Sequence, residues 1–248
     1  MAPASSRPRP ATPTDVSEAI ARRRRAEQRR NTLLLSGVAA LVLLALAMVW
    51  LVRFSPVLSA RQVEVTGTRL VSQDRVVQAA QVPLGTPLAR LETDPIAQRV
   101  ASQLTEVGQV RVSTSLPGTV RIEVTERTAV YLRHSGSVYQ SVDASGVIFA
   151  TAAKPAKGAI VASTATVDNR LLADVATVVQ ALPTEVRGQV TAVDATSPDR
   201  IVLSLTKGRS VVWGSAVASD QKAPVLVALL GQKATVFDVS SPGSPTTR

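Results

Sequence analysis

Residues Val110 to Arg127 read VRVSTSLPGTVRIEVTER. Val110 and Val112 alternate with Arg111 and Ser113, Val120, Ile122 and Val124 alternate with Arg121, Glu123 and Thr125, and Leu116-Pro117-Gly118-Thr119 interrupts the pattern. A period of two sends the branched apolar side chains to one face of a sheet and the charged ones to the other, so the stretch predicts an antiparallel hairpin with one wet face. Pro117 and Gly118 stand where a type II turn wants them, proline to preset φ and glycine to accept a positive φ.

A lone hairpin is marginal in water and needs cover on its apolar face. The preceding residues supply that cover. Gln62-Val63-Glu64-Val65-Thr66 alternates and stops at Gly67, which predicts a strand and a turn. Ser72 is placed to cap a short helix carrying Val76, Val77 and Ala80, ending before Pro83 and Gly85. A second helix starts with Asp94 as N-cap and Pro95 at its first position, and Ile96, Val100 and Leu104 recur on one side of it. The order strand, helix, helix, strand, strand over 61–127 predicts two helices on one face of a three-stranded sheet.

Towards the N-terminus lies Thr32–Val52, TLLLSGVAALVLLALAMVWLV, 21 residues without a charge. At about 1.5 Å per residue a helix of that length covers the roughly 30 Å hydrocarbon core of a bilayer, so a single transmembrane helix is predicted at 32–52. A cleaved signal fits less well: such signals have shorter apolar runs of about 7 to 15 residues, and the nearest small-x-small site, around Ser59-Ala60, lies beyond Arg53 and Pro56. Residues 1–31 carry Arg7, Arg9, Arg22 to Arg25, Arg29 and Arg30 against Asp15, Glu18 and Glu27, whereas the far side opens with Arg53 alone. The positive-inside bias therefore keeps the N-terminus in the cytoplasm and exports residues 53–248, with 53–60 as a linker. Residues 1–14 are rich in Pro, Ser and Ala and are expected to be disordered; Asp15 to Arg30 is compatible with helix.

The net charge of +10 divides evenly: 8 minus 3 gives +5 for residues 1–31, and 20 minus 15 gives +5 for 53–248. The exported surface has no long basic run, so the arginines of the tail mark topology and lean on anionic lipid, and no nucleic-acid partner is expected. Cysteine is absent and His134 is the single histidine, which rules out disulfides, thiolate metal sites and a His-based zinc site within one copy. An aromatic content of 3% argues against stacking platforms for bases or sugars.

Residues 128–241 predict a second domain of mixed character. Short strands are expected at Ala129–Arg133, Val138–Val142 and Val147–Phe149, followed by a loop at Lys154–Gly158. Asp168 is placed to cap a helix with Leu171, Leu172, Val175, Val178, Val179 and Leu182 on one side, stopped by Pro183. Strands near Val190–Val193, Ile201–Leu205 and Ser210–Trp213, a helix over Gln221–Leu230 troubled by Pro224, and a last strand Thr235–Val239 complete it. Ser240 to Arg248 reads as loose, with 242–248 as a C-terminal tail.

Chemistry is sparse. Ser219-Asp220-Gln221-Lys222 matches S-x-x-K, but the S-D-N and K-T-G partners of that enzyme class are missing. His134, before Ser135-Gly136, is expected to be a surface turn residue rather than a general base. No nucleophile elbow, no phosphate-binding glycine loop and no carboxylate pair flanked by aromatics is present, so no enzyme, cofactor or metal is expected. What remains is strand pairing: Thr235, Val236, Phe237, Asp238 and Val239 form a short β-prone segment expected at a sheet edge, where unpaired N–H and C=O groups can be completed by another chain.

Several stretches carry a resemblance. VEVTGTRLVSQDRVVQAA (63–80) and LPGTVRIEVTER (116–127) resemble the POTRA domain, and VYQSVDASGVIFA (138–150), RIVLSLTKGRSVVWGS (200–215) and VFDVSSPGSPTTR (236–248) resemble the following β domain, of the FtsQ/DivIB family of bacterial cell-division proteins in its actinobacterial form. The resemblance implies a single-pass type II membrane protein with a POTRA domain at 61–127 and an FtsQ-type β domain at 128–241. It also implies a non-catalytic divisome scaffold, enriched at the septum, that helps control septal peptidoglycan synthesis. Its partners would be FtsB and FtsL, received by Thr235–Val239 together with Leu226 and Leu230 of the preceding helix, with further division proteins meeting the POTRA domain. Two rivals are a membrane-anchored cell-wall enzyme using Ser219 and Lys222, and a POTRA protein of a secretion or assembly system. The latter normally precedes a barrel of strands about ten residues long, for which 128–248 has no room.

Overall fold

The computed structural model describes residues 35–50 and 58–248. Residues 35–50 form one helix, α1, whose apolar side chains face outward, Leu41 and Leu44 being 69% exposed. Among the described residues no helix is long and apolar enough to cross a membrane. The predicted span 32–52 runs past the described residues at both ends, and the expected tail 1–31 and most of the linker lie outside them.

The described residues divide into two compact units, one containing 35–50, 58–60, 84–91 and 116–118, the other 61–83, 92–115 and 119–248. Within the first, Ser59 forms an antiparallel bridge with Pro87, the Ala60 N–H donates to the Thr86 carbonyl at 2.9 Å and the Gly85 N–H to the Ala60 carbonyl at 2.8 Å. A single 3-10 turn follows at Leu88–Arg90.

The second unit contains two sheets. The smaller has strands β1 (Gln62–Thr66), β2 (Val107–Ser115) and β3 (Thr119–Glu126) in the order β1-β3-β2, with β1 parallel and β2 antiparallel to β3. The β2–β3 register pairs Val110 with Val124, Val112 with Ile122 and Ser115 with Thr119. The period-two pattern is borne out, since Val120, Ile122 and Val124 are buried while their neighbours Arg121, Glu123 and Thr125 are exposed. The turn differs from the type II expectation: the Leu116–Pro117 peptide is cis, Gly118 does not take a positive φ, and three residues, not two, close the loop.

Helix α2 (Gln73–Ala80) packs on β1, and α3 (Thr93–Gln103) packs on β2. Ser72 caps α2 as expected, its Oγ accepting the Arg75 N–H at 3.4 Å. The buried face of α2 is Val76, Ala79 and Ala80, at spacings of three and four, which leaves Val77 outside. The second helix begins at Thr93 rather than after Asp94, and Glu92 at its cap makes no side-chain bond. Pro95 is therefore its third residue, still harmless because the first four helical N–H groups lack intrahelical acceptors. Gly67, at φ +86°, ends β1 so close to β3 that an added Cβ would lie 2.0 Å from the Val124 carbonyl oxygen.

The larger sheet has nine strands: β4 (Tyr131–Ser135), β5 (Val138–Val142), β6 (Ile148–Ala152), β7 (Val161–Thr164), β8 (Val190–Ser197), β9 (Arg200–Leu205), β10 (Ser210–Gly214), β11 (Val236–Asp238) and β12 (Thr246–Thr247). Their order is β12-β11-β10-β9-β8-β7-β4-β5-β6. Strand β7 was not expected, yet it is central, parallel to both β4 and β8, with Ala162 fully buried. Helix α4 (Asn169–Ala181) starts at the Asp168 cap and buries Leu171, Leu172, Val175, Val178 and Val179, as its pattern predicts. Pro183 ends it and opens the short α5 (Thr184–Arg187). These residues join Tyr131, Val193, Ile201, Leu203, Trp213 and Phe237 in one core. The Tyr131 hydroxyl, fully inside, donates to the Leu172 carbonyl at 3.1 Å.

Candidate functional site

The expected site lies at the end of the large sheet that begins with β12. Strand β11 runs parallel to β10, Val236 beside Ser210, Phe237 beside Val211 and Asp238 beside Val212. Its side chains alternate as a half-buried strand demands: Phe237 and Val239 are fully buried, Val236 and Asp238 partly so, and Thr235 is exposed. Asp238 closes the strand by accepting the Ser240 N–H at 3.0 Å and its hydroxyl at 2.7 Å on one carboxylate oxygen. Gly214, at φ +74° beside the bulge in β10, leaves room there, since an added Cβ would meet the Ser240 Cβ at 2.9 Å.

Two parts of the expected site are corrected. Strand β11 is not the outermost strand, and residues 240–248 are not a loose end throughout. Thr246 and Thr247 form β12, antiparallel to β11, with Phe237 opposite Thr247 and Asp238 opposite Thr246. The Thr235 and Val236 N–H groups donate to the Arg248 carbonyl at 2.8 and 3.0 Å, the Arg248 N–H donates to the Val236 carbonyl at 2.9 Å, and the Thr247 hydroxyl reaches Gln232 Oε1 at 3.2 Å. The signal for this strand was two β-branched residues after the turn-prone Ser-Pro-Gly-Ser-Pro, too short for any period. The second correction concerns side chains. Phe237, Val239 and Leu226 are fully buried in the core and Leu230 packs partly against it, so the surface that β11 offers is its backbone with Val236 and Asp238.

The helix before the strand, α6 (Ser219–Leu229), starts earlier than expected and carries Pro224 inside, where the proline lacks the N–H that a helical residue donates to the carbonyl four positions back. Its first turns are fastened to β10. Lys222, 2% exposed, donates from Nζ to the Trp213 carbonyl at 3.1 Å and the Ser215 carbonyl at 2.8 Å. Burial holds its pKa below the usual lysine value. Ser219 Oγ accepts the Trp213 indole N–H at 3.1 Å and donates to the Ala216 carbonyl at 2.7 Å. The S-x-x-K residues thus have their polar atoms engaged in joining helix to strand. His134 lies in β4 rather than in a turn, exposed and opposite Tyr139. Among the described residues no cluster of three or more His, Asp or Glu is placed to hold a metal.

In chain order, a small three-stranded α+β sheet is followed by a nine-stranded mixed sheet, with Ser219 and Lys222 tied into structural contacts. Family models agree: the POTRA domain, FtsQ-type, matches residues 58–127, and the C-terminal domain of cell division protein FtsQ/DivIB matches residues 130–240. The chain is 37% identical over 236 residues to the cell division protein FtsQ of Streptomyces bingchenggensis, covering 91% of this chain and 89% of that one. It is 38% identical over 228 residues to the FtsQ of Mycolicibacterium smegmatis, covering 88% of this chain and 67% of that one. The solved extracytoplasmic domain of DivIB from Geobacillus stearothermophilus overlaps at 15% identity with a TM-score of 0.33, over 40% of this chain and 85% of that one, a likeness too slight to carry argument. The chain belongs to the FtsQ/DivIB family of bacterial cell-division proteins.

Proposed function

We propose that the chain is a non-catalytic scaffold of the division machinery, a type II protein with one membrane span at 32–52 and a POTRA domain (61–127) and β domain (128–241) outside the membrane. Its work is to hold FtsB, and through it FtsL, and so to help time septal peptidoglycan synthesis. The observation that carries this reading is the end of the large sheet, where a three-residue strand, β11, is covered on its outer side by the short segment Thr246–Arg248. Backbone N–H and C=O groups so thinly covered are a ready template for strand addition, which draws affinity from the main chain and selectivity from the alternate side chains. Family membership and the charge asymmetry about 32–52 support the cellular setting.

The test is capture. Val236→Pro removes the N–H that points away from β10 and costs the bond to the Arg248 carbonyl but no bond to the core side of β11, and is expected to abolish co-purification of FtsB while the protein stays folded. Undiminished FtsB in the eluate overturns the reading. Phe237 is unsuitable for this purpose because its substitution damages the core. In cells, a fluorescent copy is expected in midcell bands, and depletion is expected to give filamentous or branched cells; uniform envelope signal with normal septa counts against the scaffold. Normal septation with Lys222→Met at ordinary protein levels separates the scaffold from an enzyme using Ser219 and Lys222.

A further inference from the structure

Resting on that reading, we propose that Thr246–Arg248 occupies the strand position that the partner's backbone takes, so that capture of an antiparallel partner strand requires this segment to leave. Three observations carry it. Thr246–Arg248 already satisfies the outward groups of β11, with the Thr235 and Val236 N–H donors and the Val236 carbonyl all spent on Arg248. A guest strand needs those same groups, and each backbone N–H serves one ladder partner at a time. The segment is also weakly held: no residue from Ser240 to Arg248 is buried, so its attachment rests on those backbone bonds, the Thr247 bond to Gln232 and a Thr235 hydroxyl bond to the Arg248 carbonyl at 3.4 Å. Finally, the pairing is in register with β11, Thr247 opposite Phe237 and Thr246 opposite Asp238, so the slot is already the shape of an extended antiparallel backbone.

The occupant is therefore an extended segment of a partner chain, antiparallel to β11 and longer than two residues, so that it makes more ladder bonds than the segment it replaces. The chain's own strand keeps the edge covered until then, which guards an otherwise adhesive edge.

The chain has no cysteine, so a double substitution creates one defined disulfide. Asp238→Cys with Thr246→Cys places two thiols on directly opposed residues, whose Cα atoms in an antiparallel pair are about 4.5–5.5 Å apart, within disulfide reach. The probe is the extracytoplasmic segment of FtsB, titrated against the full-length double variant in detergent, oxidised and then reduced. Oxidation is expected to weaken binding at least tenfold, reduction to restore it, and removal of residues 246–248 from the unaltered chain to tighten it several-fold. Equal affinity in the oxidised and reduced states, with the reduced protein binding normally, overturns the displacement but leaves FtsB capture standing. Failure of the disulfide to form refutes the pairing and with it the proposal. Absence of binding by the unaltered chain overturns both this proposal and the reading on which it rests.

Discussion

Glu126, the last residue of β3, shows how much one side chain sets in place. Its Oε1 accepts the N–H groups of Arg69, Leu70 and Val71 at 2.8, 2.8 and 2.9 Å, and this ties the loop before α2 to the central strand. Burial pushes its pKa up, but the three backbone donors together outweigh that and hold the carboxyl below the usual glutamate value. A depressed folded-state pKa contributes stability that is present above the unfolded value, near pH 4.5, and is lost as pH falls through the lower folded value. Glu126→Gln is expected to cost about 1 kcal/mol at neutral pH, less than a buried bond to a charged acceptor because water reaches this one, and to flatten the acid limb of stability; urea melts at pH 7 and pH 4 check both. Its neighbour Arg127 donates to the Thr105 carbonyl at 3.1 Å and pairs with Asp143, which also accepts the Ser145 and Val147 N–H groups. Lys222 is the opposite case, a cation inside the protein on carbonyl acceptors. Lys222→Met keeps the volume but leaves the Trp213 and Ser215 carbonyls without that donor, and is expected to lower stability by about 1–3 kcal/mol in a urea titration. Nothing in Ser219-Asp220-Gln221-Lys222 as a string of letters separates this structural role from an enzyme's, because the distinction lies in which atoms the fold brings to Oγ and Nζ.

Among elements, the hairpin, α2, α4 and strands β5, β9 and β10 were legible because alternation, a capping Ser72 or Asp168 and a stopping proline each mark a boundary locally. Strands β7 and β12 were not. Val161–Thr164 reads Val-Ala-Ser-Thr, two apolar then two polar residues with no alternation, and Thr246–Thr247 is shorter than one period. Missing β12 misplaced the edge, and a one-dimensional pattern cannot say that Phe237 and Val239 face inward until the strand has a neighbour. Phe237, fully buried, is expected to cost about 3–5 kcal/mol on substitution by alanine, read as a fall in the denaturation midpoint of the large sheet.

For the whole molecule, the core of the large sheet is confined to residues from Tyr131 to Val239, and the buried residues Val65, Val120 and Ile122 of the smaller sheet, with Val76 of α2 and Ile96 and Val100 of α3, lie outside that cluster. Two separate cores are expected to give two unfolding transitions, with Phe237→Ala lowering one and leaving the other in place; a single transition shifted as a whole in calorimetry refutes this. The membrane reading is checked by washing at high pH, after which the full chain is expected to stay with the membrane and a chain lacking 32–52 to be released. The α+β class, the small three-stranded unit and most helix limits were readable from the residues alone, because they follow from periodicity, caps and turns that act over a few residues, and the family resemblance was readable from contiguous stretches. Which strand lies next to which, which of Thr235 to Val239 are core, and the covering of β11 by Thr246–Thr247 were decided by tertiary structure alone. Strand pairing joins residues far apart in the chain through backbone groups that every residue carries, and no local pattern of side chains encodes it.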